Sequence, residues 1–177
     1  MTLKEQILND IKVEISDEFD QNFERKAFFS KRWEPRKQDG KGTLMMQTGK
    51  LRRSIKAKVQ NQSVVFTSSE PYAAIHNEGG TITVTKKMKR FFWAKFYECA
   101  GHIKYKKSGG ISKASMRLSK EAEMWHGLAL MKVGSKITIP QRQFLGDAPE
   151  IHATVKKIVD NRMKDVPKMI KQRLNKK

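Results

Sequence analysis

The apolar residues of the first 23 positions place the strongest constraint on the fold. Six of them recur at every fourth position, close to the helical period, and the charged residues between them are mostly acidic. The apolar positions are Leu3, Ile7, Ile11, Ile15, Phe19 and Phe23. Because a four-residue step overshoots a whole turn, this stripe winds about 200° round a straight helix. The pattern predicts one long amphipathic helix whose two ends contact different surfaces, provided by a second subunit or by a bend in the helix.

Net charge sets the second constraint. The 177 residues include 37 Lys and Arg against 18 Asp and Glu, a formal net charge of +19. Charge of this size favours acidic or nucleic-acid partners and opposes close packing of identical subunits. It is also uneven, because residues 1–30 hold 4 basic and 7 acidic groups whereas residues 86–120 hold 11 basic and 1 acidic. The acidic N-terminal helix can therefore balance the basic segment of the same subunit or of the next one.

The length and the single cysteine restrict the class of protein. A chain of 177 residues is the size of one domain, so we predict a single domain over 1–177. Cys99 has no second cysteine to pair with, which excludes an intrachain disulfide and a cysteine-based metal site. No stretch approaches the roughly 20 apolar residues of a membrane-spanning helix, and the N-terminus lacks the apolar core of a signal peptide. We expect a protein of the cytoplasm without a membrane partner.

The remaining patterns predict the α+β class: a small, mostly antiparallel sheet packed by long N- and C-terminal helices. Alternating or β-branched residues mark the predicted strands 54–59, 63–68, 81–85 and 136–139. A short helix is expected before the first strand and a helical turn at 72–78, ended by two glycines. The last helix is predicted from about Glu150 toward Leu174, kinked or ended at Pro167.

A basic insertion is predicted at about 86–135. It comprises a helix over 86–100, a mobile loop over 102–120 and a helix over 119–130. The candidate nucleic-acid or subunit contacts are Lys86, Lys87, Lys89, Arg90, Lys104, Lys106 and Lys107. The aromatic residues among them can stack on bases while the cations hold phosphates, but their helical spacing favours a packing or subunit-contact face. These aromatic residues are Phe91, Phe92, Trp93, Phe96 and Tyr97.

Three short motifs, preceded by Trp33-Glu-Pro, carry a family resemblance. They read QTGKLRRSI over 47–55, YAAIHNEGG over 72–80 and IPQRQFLG over 139–146. Their order and spacing resemble the phage virion morphogenesis (tail-completion) family, which usually has proline where this chain has Gln143. The residues that match the family pattern are Trp33, Gly49, Leu51, Tyr72, His76, Gly79, Gly80, Pro140, Arg142, Phe144, Leu145 and Gly146.

The resemblance implies a structural phage or prophage protein that completes the tail or joins it to the head. It further implies other phage head or tail proteins as partners, a homo-oligomer such as a ring around the DNA channel, and nonspecific DNA contact. Such a protein is found in the host cytoplasm during assembly and then in the virion. The alternative hypothesis is a sequence-nonspecific nucleic-acid-binding protein that works through the basic insertion.

Catalytic and ligand-binding alternatives find little support in the residues. His76 and Glu78 can each transfer a proton or bind a cation, but no Cys, Asp or second His stands at metal-ligand spacing beside them. The glycines follow neither a P-loop nor a dinucleotide-binding pattern, so turns that need positive φ explain them better. We expect no catalytic residue, no metal and no cofactor.

Overall fold

The structure is a computed structural model that describes residues 2–36, 42–104 and 112–174. These residues divide into two compact units. The main unit consists of the chain up to Gly79 and from Pro140 onward, and the hairpin unit is Gly80–Ile139. The main unit contains α1 (Leu3–Arg25), β1 (Ala27–Phe28), β2 (Lys31–Arg32), α2 (Lys50–Ser54), β3 (Ile55–Gln60), β4 (Ser63–Ser68), α3 (Ala73–Glu78) and α6 (Pro149–Leu174). The hairpin unit contains β5 (Gly80–Thr83), α4 (Lys86–Gly101), α5 (Lys113–Leu130) and β6 (Lys136–Ile139).

Helix α1 confirms the long N-terminal helix. It starts with a capping box in which Glu5 N donates to the Thr2 hydroxyl at 3.2 Å and Thr2 N donates to the Glu5 carboxylate at 2.8 Å. The helix ends at Lys26, which has a left-handed φ of 55° and whose backbone N–H donates to the Asn22 carbonyl. Both ends are therefore fixed by local hydrogen bonds.

The apolar stripe of α1 packs into two different hydrophobic clusters, as the winding of the stripe predicts. Ile15 and Phe19 are buried with Phe28 and Ala148 in one cluster, whereas Phe23 is buried in a second cluster four residues later. The first half of the helix is only half-buried and lies alongside α6. All these contacts come from the main unit of the same subunit, so a second subunit is not needed to cover Ile15, Phe19 and Phe23.

Arginines of the main unit neutralise several acidic groups of α1. Arg162 of α6 donates to Asp10 at 2.5 Å, and this hydrogen bond lowers the pKa of the Asp10 carboxyl. Arg52 of α2 bonds to Asp20 and reaches Glu24 at 2.8 Å. Asp10 therefore has its ion-pair partner within its own main unit.

The sheet topology confirms the α+β class but not the single predicted sheet. Among the described residues, the strands form three separate antiparallel pairs: β1 with β2, β3 with β4, and β5 with β6. The β3–β4 hairpin runs in register from Ile55 opposite Ser68 to Gln60 opposite Ser63 and belongs to the main unit. In the hairpin unit, β5 and β6 pair from Gly80 opposite Ile139 to Thr83 opposite Lys136. Alternation identifies extended segments but carries no information about which segments pair.

Two helix boundaries differ from the prediction. Helix α5 begins at Lys113 because Ser112 caps it, its hydroxyl accepting from Ser115 N at 3.1 Å, so the predicted loop is wrong over 113–120. Helix α6 continues past Pro167, which removes one backbone donor without ending the helix. Among the described helices, none is long and apolar enough to cross a membrane.

Candidate functional site

The second and third sequence motifs are joined by hydrogen bonds in the main unit. The backbone N–H of Arg142 donates to the carbonyl of His76 at 2.8 Å. The side-chain oxygen of Asn77 accepts from the backbone N–H groups of Phe144 and Leu145, at 2.9 Å and 3.0 Å. One amide at the end of α3 thus fixes the turn that precedes α6, a role that the sequence analysis did not assign to Asn77.

The Trp33-Glu-Pro element binds the same turn from another side. The Trp33 indole N–H donates to the Gln143 carbonyl at 2.6 Å. The Arg142 guanidinium donates to the carbonyls of Glu34 and Pro35, through Nε at 3.0 Å and through Nη2 at 3.5 Å. Residues 33–35, 76–77 and 142–145 of the main unit therefore meet at one place, which we name the motif junction.

An aromatic cluster lies beneath the motif junction. Phe144 is 1% exposed and its ring centroid lies 5.3 Å from that of Phe23, which in turn contacts the Trp33 ring edge-on at 5.6 Å. Leu51 brings the first motif into this cluster, and Ala73 brings the second. The family-pattern residues Trp33, Leu51 and Phe144 thus lie in the hydrophobic core of the main unit.

The motif glycines all have positive φ, and Gly79 shows why this matters. Its φ is 74°, and an added Cβ would lie 2.9 Å from the backbone nitrogen of Gln141. A side chain at position 79 would push apart the backbone segments around Gly79 and Gln141. Gly49, Gly80 and Gly146 have φ values of 68°, 149° and 145°. Of the remaining pattern residues, Tyr72 is exposed, whereas Pro140 and Leu145 are half-buried.

A cleft of about 330 Å³ opens at the motif junction. Its lining combines cationic, polar and apolar side chains: Arg36, Thr43, Leu44, Met45, Gln47, Thr48, Gly49, Lys50, Leu51, Tyr72, His76 and Arg142. Burial lowers the pKa of the His76 imidazole, and the positive charge of Arg142 lowers it further. Burial also lowers the pKa of Arg142 itself. None of the lining residues is acidic, and the carboxylates of Glu70 and Glu34 act on the lining cations Lys50 and Arg142 from outside this set.

This lining does not form a catalytic arrangement. His76 is the only His, Asp or Glu among the lining residues, and no described residue within hydrogen-bond range orients its Nδ1. Within residues 2–36, 42–104 and 112–174, no group of three or more His, Cys, Asp or Glu side chains can hold a metal ion. Cys99 is buried, and burial raises the pKa of its thiol, which disfavours the reactive thiolate.

The hairpin unit carries the other candidate contacts. Lys86, Lys87 and Arg90 are exposed at the start of α4, together with Lys104 after its end, whereas Lys89 is half-buried. Lys106 and Lys107 lie outside the described residues. The motif junction and these cations therefore belong to different units of the chain.

The aromatic residues of α4 divide between packing and exposure. Phe92 is 7% exposed and lies 6.0 Å from Trp125, and Phe96 stacks on His126 at 4.8 Å. These contacts within the hairpin unit confirm the packing interpretation for both residues. Phe91 and Tyr97 are different, because they remain 52% and 65% exposed.

A sequence model of the phage virion morphogenesis family matches residues 2–164, which includes every motif at the junction and the whole hairpin unit. No curated protein and no solved structure matches the chain. The family is structural rather than catalytic. Because the match covers far more than half of the 177 residues, the chain belongs to the phage virion morphogenesis family.

Proposed function

We propose that this protein is a structural component that completes the phage tail or joins the tail to the head. The observation that carries the proposal is the use of the motif residues, since Trp33, Leu51 and Phe144 form core and Arg142 and Asn77 bond to backbone groups. Their shared task is to fold the main unit, as expected in a protein that acts by binding neighbours. Membership of the family supports the same role.

The partners that we propose are other phage head or tail proteins and further copies of this chain, arranged as a ring. Charge supports contact between copies. Val13, Glu14 and Asp17 of α1 are exposed, and the hairpin unit has thirteen Lys and Arg against three Glu. An acidic helix of one copy against a basic helix of the next offsets their mutual repulsion. Such a protein acts in the host cytoplasm during assembly and remains in the virion.

Particles from a phage that lacks this gene test the role directly. We expect negative-stain images to show DNA-filled heads separate from tails, or tails of irregular length, and an infectious titre restored by the gene supplied in trans. A Lys56→Gln gene serves as the matched control, because this exposed lysine on β3 lies outside both candidate surfaces. Intact, infectious particles without the gene would refute the proposal.

Absence of catalysis is part of the same proposal. Purified protein should leave duplex and single-stranded DNA intact with added Mg²⁺ or Mn²⁺. Cleavage that disappears in a His76→Ala variant would assign His76 a catalytic role and contradict the structural one.

Nucleic-acid binding by the hairpin unit is the second candidate function, supported by its exposed cations and by exposed Phe91 and Tyr97. We expect weak, salt-sensitive binding that is indifferent to sequence. Changing Lys86, Lys87 and Arg90 together to Gln should reduce the slope of log K against log salt by up to about 3, roughly one per phosphate contact. Fluorescence anisotropy over a salt series measures this slope.

The matched control for this measurement changes three exposed lysines of the main unit, Lys56, Lys58 and Lys156, to Gln. An equal loss of slope in the control would show that net charge alone attracts DNA. Strong preference for one sequence would instead make nucleic-acid recognition the leading function.

A further inference from the structure

The cleft at the motif junction contains a buried cation without an ion-pair partner in the described part of the chain, and the Glu34 carboxylate stabilises its charge only from beyond ion-pair distance. Arg142 is 9% exposed, and its guanidinium donates to two neutral acceptors, the carbonyls of Glu34 and Pro35. Among the described residues, no carboxylate oxygen lies within 4.0 Å of the Arg142 guanidinium nitrogens, the distance limit for an ion pair. Removing a cation from water without an opposite charge costs free energy, and an anion that entered the cleft would offset this cost.

A second polar group of the cleft lacks a partner. The Nδ1 atom of His76 is buried and has no hydrogen-bond partner among the described residues. Lys50 adds an exposed cation at the rim, where it lies 3.8 Å from the Glu70 carboxylate. An anion in this cleft would find a guanidinium and an imidazole in its wall and an ammonium group at the opening.

The shape and the walls of the cleft favour a protein side chain as the occupant. Leu44, Met45 and Leu51 supply apolar wall, which suits the methylene groups of a glutamate rather than a sugar-phosphate chain. Arg142 is also recessed, so a phosphate on the outside of a rigid duplex cannot readily reach it. A carboxylate on a flexible side chain can enter and accept from the guanidinium.

We propose that the cleft is a docking site for a glutamate or aspartate side chain of another virion protein. The inference rests on the structural role proposed above, because it names the chemistry by which the main unit holds a neighbour. The basic residues of the hairpin unit take no part in it.

A pair of peptides tests the proposal on the full chain. The probes are acetyl-Ala-Glu-Ala-amide and its neutral counterpart acetyl-Ala-Gln-Ala-amide, titrated while the ¹⁵N signals of the histidine rings and of the arginine Nε groups are recorded by NMR. We expect a saturable shift of the His76 and Arg142 signals with the Glu peptide only. His102, His126 and His152 serve as internal controls, since they lie outside the cleft. Equal shifts with both peptides, or no shift, would overturn the proposal.

Two variants connect the response to the cleft. Arg142→Gln should weaken peptide binding by about 10- to 100-fold, the range for a charged hydrogen bond. Arg142 also holds the Trp33-Glu-Pro element, so its replacement can disturb the fold. The second variant is therefore Lys50→Gln, at an exposed position where the fold is retained. We expect it to weaken peptide binding by about 1.5- to 5-fold. Lys56→Gln is the control, because it removes the same single positive charge at a site outside the cleft. A Lys50→Gln protein that binds as tightly as the Lys56→Gln control would place the peptide elsewhere.

Two further measurements separate other anions from a carboxylate of a partner. A short duplex DNA should not displace the Glu peptide, and displacement would assign the cleft to phosphate. Asp39, which lies outside the described residues, stands three positions after the cleft-lining Arg36. An Asp39→Asn variant should bind the peptide as the wild type does. Affinity raised tenfold or more would identify this chain's own carboxylate as the occupant and overturn the proposal. The result of the particle experiment does not depend on either measurement. The docking site and the structural role can therefore be refuted independently of each other.

Discussion

Phe144→Ala is expected to lower the free energy of unfolding by about 3–5 kcal/mol, the usual cost of truncating a buried phenylalanine. Phe144 is 1% exposed and lies against Phe23 in the cluster that also contains Trp33 and Leu51. A cavity at this point removes contacts to α1, to α2 and to the segment before α6 together. Urea denaturation followed by circular dichroism measures the change.

Tyr97→Ala provides the comparison for this measurement. It also truncates an aromatic side chain, but Tyr97 is 65% exposed and belongs to the hairpin unit. We expect its free energy of unfolding to stay within about 1 kcal/mol of wild type. If the two variants are equally stable, Phe144 is not a core residue in solution.

Asn77→Ala is expected to cost about 2–6 kcal/mol of stability, an effect that the burial of Asn77 alone would not suggest. Its side-chain oxygen accepts two backbone N–H groups, those of Phe144 and Leu145. Losing this acceptor leaves both donors without their partner in a part-buried turn, at roughly 1–3 kcal/mol for each. Thermal and urea denaturation of the variant measure the loss.

Asn77→Asp distinguishes the hydrogen bonds from simple loss of side-chain volume. The carboxylate retains acceptor oxygens at the same position, so we expect it to recover most of the stability lost in Asn77→Ala. The double variant Asn77→Ala, Phe144→Ala should lose less than the sum of the single changes, because both act on one turn. If the Asp and Ala variants are equally destabilised, the acceptor role is wrong.

Local periodicity in the sequence determined most of the secondary structure. The four-residue spacing from Leu3 to Phe23 identified α1, and strict alternation identified β3. These patterns can be read directly because a helix or a strand places every residue by its own backbone geometry. The start of α5 was also encoded locally, in the Ser112 cap on Ser115, but the neighbouring glycines at 109 and 110 suggested a longer loop. The motifs likewise indicated the family without any coordinates.

Tertiary structure decided everything that depends on distant parts of the chain. Asn77 bonds to a residue 67 positions away, and Trp33 to one 110 positions away. The separation of β3–β4 from β5–β6, the covering of α1 by its own subunit and the cleft around Arg142 arise in the same way. The physical reason is that side-chain periodicity reports one element at a time. Strand partners, hydrogen bonds between distant segments and buried charges without an ion pair depend instead on the path by which the chain brings those elements together.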